Sequence, residues 1–162
     1  MTAIVLMGVA GCGKSSVGAA LSALTGLPYI DGDDLHPAAN VAKMAAGTPL
    51  VDDDRWPWLD ACADRLGTGN IILGCSALKR AYRDRLRRAG DITFVHLSGS
   101  CDLIAARMAQ RKGHYMPLSL LDSQFAALEP PTPDESALVV SIGPSATSIA
   151  ASIAAQLKGA SP

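Results

Sequence analysis

A glycine-rich loop near the start of the chain constrains the fold more than any other feature. The uniformly apolar run Ala3–Met7 is followed by Gly8-Val-Ala-Gly-Cys-Gly-Lys14-Ser15, which has the spacing G-x-x-x-x-G-K-[ST]. Because glycine tolerates positive φ, such a loop can turn its backbone N–H groups towards phosphate oxygens at the positive end of the following helix. The pattern therefore predicts a nucleoside triphosphate site in a strand–loop–helix unit.

Each part of this loop has a predicted contact with the nucleotide. We expect Lys14 to reach the β- and γ-phosphates, and the Ser15 hydroxyl to ligate Mg²⁺. The remaining contacts are expected from the loop and the first turn of the helix, at Gly8, Gly11, Cys12, Gly13 and Ser16. ATP and Mg²⁺ are therefore the predicted cofactors.

Strand-like apolar runs alternate with helical patterns along the chain. The strands are predicted at Ala3–Met7, Leu27–Ile30, Asn70–Cys75, Ile92–Leu97 and Ala137–Ile142. Six helices are predicted over Lys14–Leu24, Ala38–Ala46, Asp54 to about Leu66, Cys101–Arg111, Leu118–Leu128 and roughly Pro144–Lys158. A further helix is predicted from the apolar stripe of Leu78, Tyr82 and Leu86, and it stops at Gly90. This alternation predicts an α/β P-loop NTPase fold with a central parallel sheet of about five strands.

Length, charge and cysteine content limit the possible classes of protein. The 162 residues fit one domain, predicted over 1–162, and a formal net charge of −1 attracts neither nucleic acid nor anionic membranes. We expect no membrane span and no signal peptide, because apolar runs are short and no basic region precedes the first. The four cysteines lack metal-ligand spacing, so we expect reduced thiols and a cytoplasmic protein.

Two aspartates follow the second predicted strand, in Tyr29-Ile-Asp31-Gly-Asp33-Asp34-Leu-His36-Pro37. The carboxyl ends of parallel strands converge on one crevice, which brings this segment to the phosphate loop. We assign Asp31 to Mg²⁺ through water, and Asp33 to the proton of an attacking hydroxyl. The alternative is an Asx turn that only caps the next helix.

The segment 111–117 has the composition of a mobile lid. Glycine and proline bracket Lys112-Gly-His-Tyr-Met-Pro117, which follows Arg107 and Arg111. Residues four apart share a helix face, and phosphoryl transfer needs positive charge on the equatorial oxygens. We therefore expect Arg107 to bind nucleotide and Arg111 to bind it and assist catalysis, with solvated surface arginines as the alternative.

Other classes of phosphate-loop protein fit the sequence less well. A GTPase needs a guanine-reading N-K-x-D, which is absent, and Asp64-Arg-Leu-Gly67 lies in a helical stretch. The predicted strand Asn70–Cys75 is followed by Ser76 rather than by the acidic residue of a Walker-B ATPase. Phosphoryl transfer to an alcohol is therefore favoured.

Several further blocks resemble the small gluconokinases, relatives of shikimate and nucleoside-monophosphate kinases. They are Asp31-Gly-Asp-x-Leu-His-Pro37, Asn40-x-x-Lys-Met-x-x-Gly47 with Asp54-Arg-x-Pro-Trp-Leu59, Cys75-Ser-Ala-Leu-Lys79, Arg111-Lys-Gly-His114 and Gln124-Phe125. The resemblance implies ATP-dependent phosphorylation of D-gluconate at its 6-hydroxyl, with Mg²⁺ and as a homodimer. The chain departs from the family pattern at Ala10, Cys12 and Tyr115.

A sugar-acid acceptor requires cationic groups for its carboxylate. Arg55 is the predicted clamp, since a guanidinium binds a carboxylate through two parallel hydrogen bonds, and an ion pair with the adjacent aspartates is the alternative. His36 is expected to contact a hydroxyl or to make a structural hydrogen bond. Lys79 and Arg83 follow the third strand and are expected to face substrate or product phosphate, and His114 completes the predicted substrate contacts.

Two other functions remain open. One is a shikimate-like or other polyol kinase, although Gly74-Cys-Ser-Ala-Leu-Lys79 replaces the glycine triplet of shikimate kinases. The other is a nucleotide-binding module without transfer activity, which has no need of an acceptor base such as Asp33.

Overall fold

Five parallel strands form the centre of the molecule. The computed structural model describes residues 2–110 and 118–160. The strands are β1 (Ala3–Met7), β2 (Tyr29–Asp31), β3 (Ile71–Gly74), β4 (Thr93–Ser98) and β5 (Leu138–Ser141), in the order β2-β3-β1-β4-β5 with every neighbouring pair parallel. The predicted fold class is confirmed, and the strand ends differ from the prediction by one or two residues.

Helices connect the strands and cover both faces of the sheet. They are α1 (Lys14–Thr25), α2 (Ala38–Ala45), α3 (Asp52–Leu66), α4 (Arg80–Leu86), α5 (Cys101–Ala109), α6 (Leu118–Ala127) and α7 (Ala146–Ala160), with short 3₁₀ turns at Gly32–Leu35, Arg87–Ala89 and Pro133–Glu135. Within 2–110 and 118–160, no helix is both long and apolar enough to cross a membrane. The predicted lid at 111–117 lies outside the described residues.

The start of α3 differs from the prediction that Asp54 caps this helix. The helix begins two residues earlier, at Asp52, and Asp54 occupies its third position. There the Asp54 carboxylate accepts a hydrogen bond from the backbone N–H of Val51 (2.9 Å) and pairs with Lys43 Nζ (2.9 Å). Asp54 thus satisfies an N–H group at the helix start and joins α3 to α2.

The core consists of two apolar layers, one on each face of the sheet. Side chains alternate along a strand, so Ile4 and Leu6 pack in the layer that contains α1 and α7, whereas Val5 and Met7 pack in the layer that contains α3 and α4. All five residues of β1 are buried. A central parallel strand covered on both faces is expected to be apolar throughout, which explains the first run in the sequence.

The register of the sheet brings the functional segments together. Gly74 at the end of β3 pairs with Leu6 of β1 and with Asp31 of β2, so the three strands end at the same level. The loop after β1 is joined to the loop after β3 by a hydrogen bond from Gly8 N–H to Ser76 O (3.1 Å). The residues that follow these strands therefore share one edge of the sheet.

Candidate functional site

The phosphate loop has the backbone conformation that its glycines allow. Gly8, Gly11 and Gly13 have φ of +150°, +80° and +99°, and Gly13 precedes the first turn of α1. A Cβ at Gly8 would approach the carbonyl oxygen of Leu97 to 2.9 Å, so a side chain is excluded there by space as well as by φ. The loop therefore curls around the N-terminus of α1, where N–H groups are available to an anion.

Side chains of the loop divide between the interior and the cleft. Lys14 Nζ donates to the carbonyl oxygens of Gly8 (2.9 Å) and Val9 (3.1 Å), which holds its charge inside the curl of the loop. Cys12 is buried, so only its backbone can meet a nucleotide. Ser15 and Ser16 are exposed in the first turn of α1, and Ser15 lines the cleft.

A cleft of about 230 Å³ opens beside the loop. Its lining combines the phosphate loop, the end of β2, the segment after β3 and one residue of α6, namely Ala10, Gly11, Gly13, Lys14, Ser15, Tyr29, Asp31, Asp33, Gly74, Cys75, Ser76 and Gln124. A larger groove of about 980 Å³ lies at the other end of the strands, between the C-terminal parts of α1 and α7. The smaller cleft is the candidate site because it contains the groups that can bind phosphate and exchange protons.

The two aspartates of the D-G-D segment have different surroundings. Asp31 Oδ1 accepts a hydrogen bond from Asp33 N–H (2.9 Å) and caps the 3₁₀ turn, so the Asx-turn alternative describes part of its role. The Asp33 side chain is largely exposed, and partial desolvation beside the cleft raises its pKa. The Asp31 charge raises this pKa further, while Lys14 and His36 oppose the rise. A raised pKa makes a carboxylate a better proton acceptor near neutral pH.

Hard oxygen ligands for a magnesium ion are present in the cleft. Ser15 contributes a hydroxyl, and Asp31 contributes a carboxylate. Within the described ranges, no three His, Cys, Asp or Glu side chains form a metal-binding group. This donor set fits Mg²⁺ bound together with nucleotide phosphates, because that ion commonly uses one or two protein ligands and keeps several waters.

His36 follows the 3₁₀ turn that contains Asp33 and lies close to the Asp33 carboxylate. Its side chain is only 6% exposed, and its ring stacks on Trp58 with centroids 4.3 Å apart. Its Nε2 atom is 3.9 Å from Asp33 Oδ1. Burial lowers the pKa of His36, opposed by the charge of Asp33 and assisted by that of Arg55. At neutral pH, a neutral imidazole therefore faces the candidate base.

Arg55 and Lys79 meet in a cationic cluster around Asp52 and Tyr82. The hydroxyl of Tyr82 donates to Asp52 Oδ1 (2.5 Å), and Lys79 Nζ lies 3.3 Å from the same oxygen. Arg55 Nη1 donates to the backbone oxygen of Leu50 (3.0 Å) and lies 3.9 Å from Asp52 Oδ1. The predicted ion pair of Arg55 with an adjacent aspartate is thus present but long, and both cations keep capacity for a further anion.

Arg83 corrects the prediction of a substrate contact. Its side chain is 1% exposed, and Nε and Nη2 bind the two oxygens of Glu135 at 2.7 and 3.0 Å. Its other N–H groups donate to the backbone oxygens of Ala77, Leu78 and Glu129. All donors are used inside the protein, so Arg83 joins α4 to the segment before β5 and does not reach a ligand.

Three predicted cationic contacts remain, at Arg107, Arg111 and His114. Arg107 lies on α5, beside Met108, which contacts the phosphate loop at Gly11, and its guanidinium donates to the Gly143 carbonyl oxygen (3.1 Å). Its nucleotide contact remains a prediction. Arg111 and His114 lie outside the described residues.

Two residues of the cleft were missed by the sequence reasoning. Burial raises the pKa of Tyr29, and the Ser15 side chain opposes this rise. The Tyr29 ring occupies the space that a Cβ at Gly18 or Gly74 would fill. A glycine within a helix and another at a strand end are signals of such a close approach. Gln124 accepts a hydrogen bond from Ala10 N–H (2.6 Å), which joins α6 to the phosphate loop.

Strand order, phosphate loop and acidic cleft together define a P-loop kinase, in which a triphosphate and an acceptor meet at one edge of a parallel sheet. Comparison with known proteins agrees, since the shikimate kinase family matches residues 10–129. The chain is 48% identical to the thermosensitive gluconokinase of Escherichia coli (strain K12) over 143 residues, covering 83% of this chain and 75% of that one.

Two further relatives support the same assignment. The gluconokinase of Gluconobacter oxydans (strain 621H) is 49% identical over 147 residues, covering 85% of this chain and 81% of that one. The crystal structure of a gluconokinase from Sinorhizobium meliloti 1021 superimposes with a TM-score of 0.87 at 44% identity, covering 99% of this chain and 98% of that one. The chain belongs to the gluconokinase family and is a kinase.

Proposed function

We propose that the protein transfers the γ-phosphoryl group of ATP to the 6-hydroxyl of D-gluconate, which yields 6-phosphogluconate and ADP. One observation carries the proposal: the Asp33 carboxylate opens on the same cleft as Lys14 and Ser15, and it neighbours His36, on which the charge of Arg55 acts. The phosphate site and the candidate carboxylate clamp therefore both lie near one candidate base. The names of the similar gluconokinases support the choice of acceptor.

Asp33 is proposed as the group that accepts the proton of the attacking hydroxyl. Its raised pKa favours this role, and its neighbour His36 is held in place by stacking on Trp58. Lys14 is proposed to leave its two loop carbonyls and bind the β- and γ-phosphates, and Arg107 and Arg111 to neutralise the moving phosphoryl group.

Mg²⁺ is proposed to be held by Ser15 directly and by Asp31 through water. When bound, the ion neutralises charge on the phosphate oxygens and orients the triphosphate. The presence of the Ser15 hydroxyl and the Asp31 carboxylate in one cleft supports this assignment.

Arg55 is proposed to bind the gluconate carboxylate, with Lys79 beside it. Both cations lie against the ring of Tyr82, each 5.6 Å from the ring centre, and both are about one third exposed. A partly enclosed pair of cations binds an anion more strongly than a fully solvated one, because the surrounding dielectric is lower. His36 and His114 are proposed to contact hydroxyl groups of the sugar chain.

A homodimer and a cytoplasmic location are part of the same proposal. The resemblance to the gluconokinases supports the dimer, and light scattering of the purified protein would measure it. The cytoplasm supplies ATP, and the four cysteines are free thiols in the structure, as in proteins of reducing compartments.

An assay of ADP release across several acceptors tests the function. The purified protein is incubated with ATP, Mg²⁺ and, separately, gluconate, shikimate, other aldonic acids and nucleoside monophosphates. We expect turnover with gluconate and a phosphate ester at C6 in the ³¹P and ¹³C NMR spectra of the product, and Asp33→Ala is the matched inactive control. Preference for shikimate would support the alternative kinase, and ATP binding without any phosphorylated acceptor would reduce the protein to a nucleotide-binding module.

A further inference from the structure

Asn40 is a buried polar residue with no place in the reaction described above. It lies on α2 and is only 3% exposed. Its side-chain nitrogen Nδ2 is 2.8 Å from the backbone oxygen of Asp54 and 3.2 Å from Nδ1 of His36. One amide group therefore contacts both the first turn of α3 and the histidine that faces the candidate base.

The contact with Asp54 determines which way the amide points. A backbone carbonyl oxygen only accepts hydrogen bonds, so the NH₂ group of Asn40, and not its oxygen, must face Asp54. The opposite orientation would place two carbonyl oxygens against each other in a buried position, at the cost of a lost hydrogen bond. Because an amide nitrogen carries two hydrogens, the second one is directed at His36 Nδ1.

This orientation determines the protonation state of His36. A ring nitrogen that faces an N–H donor must present a lone pair, so Nδ1 carries no proton and the proton of the neutral ring is on Nε2. We propose that Asn40 is a positioning residue that holds His36 as the neutral Nε2–H form, so that His36 donates a hydrogen bond to an acceptor hydroxyl beside Asp33. The substrate part of this inference rests on the proposed function.

The charged groups around the ring are compatible with a neutral donor. Asp33 faces Nε2 from the 3₁₀ turn, and Arg55 acts on the ring from α3, with opposite effects on the imidazolium. The Asp54 carboxylate is paired with Lys43 of α2. Trp58 covers one face of the ring, and its own Nε1–H is used by the backbone oxygen of Gly32 (2.8 Å). The ring is thus held on one face by Trp58 and at Nδ1 by Asn40, and Nε2 lies on the side of the Asp33 carboxylate.

The distance between His36 and Asp33 leaves room for a shared ligand. Nε2 and Asp33 Oδ1 are 3.9 Å apart, which is too long for a direct hydrogen bond. A hydroxyl placed above both atoms can accept a hydrogen bond from Nε2–H and donate its proton to Asp33. His36 and Asp33 then act on the same oxygen with complementary roles, and the fixed donor orients the hydroxyl for proton loss.

NMR of the ligand-free protein tests the tautomer without any assumption about the substrate. Long-range ¹H–¹⁵N spectra distinguish a protonated ring nitrogen from a bare one, and His36→Gln identifies the His36 signals among the three histidines. We expect a bare Nδ1 and a protonated Nε2 in the unmodified protein at neutral pH and above. In Asn40→Ala we expect the Nδ1–H form to appear, together with a higher titration midpoint. A proton on Nδ1 of the unmodified protein at neutral pH would overturn the proposal, whether or not the variant folds.

Kinetics of two His36 variants test the donor at the active site. The amide nitrogen of Gln occupies the place of Nε2, whereas the shorter Asn places its nitrogen near Nδ1. We expect His36→Gln to retain kcat/KM for gluconate within about tenfold and His36→Asn to lose a further tenfold or more, with equal KM values for ATP, since each lost hydrogen bond corresponds to roughly one decade. Equal losses in both variants would contradict the donor role. If gluconate is not the substrate, both variants and the unmodified protein show no turnover of gluconate, which contradicts the proposed function. The NMR result determines the tautomer of His36 in either case.

Discussion

Asp33 and Arg83 follow neighbouring parts of the same sheet edge, and the sequence predicts a substrate contact for both, but the structure gives them opposite surroundings. Asp33 opens on a cleft, next to another carboxylate, and its pKa is raised. Arg83 is enclosed, and its five N–H groups all have partners within the protein. The difference shows that position at the edge does not by itself identify a functional residue. What identifies it is hydrogen-bonding capacity that the protein leaves available.

The two regions also differ in what they contribute to the free energy of folding. The carboxylates of Asp31 and Asp33 repel each other, so the cleft is held against their charge by the rest of the fold. In the other region, Glu135 binds Arg83 and Arg87 and accepts from the backbone N–H of Thr132, which lowers its pKa. The cleft therefore contains two carboxylates whose repulsion lowers stability, whereas the ion pairs of Glu135 stabilise the fold by connecting elements that are distant in sequence.

The largest expected effect separates activity from stability at Asp33. Asp33→Asn removes the proton acceptor, so kcat should fall by about 10²–10⁴-fold while the KM for ATP changes little. The raised pKa means that ionised Asp33 is less favourable in the folded than in the unfolded protein, so stability is lost as the pH rises and the carboxyl group ionises. The neutral variant should therefore melt at the same or a higher temperature. Near-normal turnover, or a clear drop in melting temperature, would remove the contrast with Arg83.

The second effect, at Arg83, is a loss of stability without a change in substrate binding. Arg83→Met leaves Glu135 buried without its main partner, which should lower the free energy of unfolding by about 3–5 kcal/mol. Arg85→Met is the matched control, because Arg85 lies on the same helix and pairs with Asp60 at the surface, where solvent screens the ion pair and its loss should change stability much less. Urea unfolding measures both. The folded fraction of Arg83→Met should retain its KM for gluconate. A raised KM would instead support a substrate contact for Arg83.

A third, smaller effect concerns the carboxylate clamp. Arg55→Ala should raise the KM for gluconate by roughly 10–100-fold and leave the KM for ATP unchanged, because a charge-assisted, paired hydrogen bond contributes about 1.5–3 kcal/mol. Arg65→Ala, an exposed arginine in the last turn of α3, is the control. Initial rates at varied gluconate and fixed ATP measure the change. An equal increase in both KM values would argue against a contact specific to the acceptor.

The smallest effect appears in acid. The pKa of Glu135 is lowered in the folded protein, so its stabilisation is complete above the unfolded value of about 4.3 and is lost as the pH falls towards the folded value. Glu135→Gln has no such carboxyl group, so its melting temperature should fall less than that of the unmodified protein between pH 6 and pH 3.5. Differential scanning calorimetry at the two pH values makes the comparison. Parallel losses in both proteins would show that other carboxylates dominate the acid response.

Much of the site could be predicted because its residues are close in sequence or at the ends of strands. The spacing from Gly8 to Ser15 defines the loop, and the position of Asp31 at the end of β2 and of Asp33 just after it defines the acidic side of the cleft. Arg83 was predicted wrongly because its partner, Glu135, lies 52 residues further along the chain, after β4, α5 and α6.

Local pattern was thus sufficient for the parallel sheet, the phosphate loop and the candidate base, since apolar periodicity, glycine spacing and the convergence of parallel strands act over short distances. Long-range packing was needed for the rest. Through this packing, Arg83 is buried against Glu135, and the Tyr29 ring packs against Gly18 and Gly74. The same packing also turns the amide of Asn40 between Asp54 and His36. The physical reason is that a charged or polar side chain takes its role from the partners it meets, and these come from segments whose spacing along the chain carries no signal.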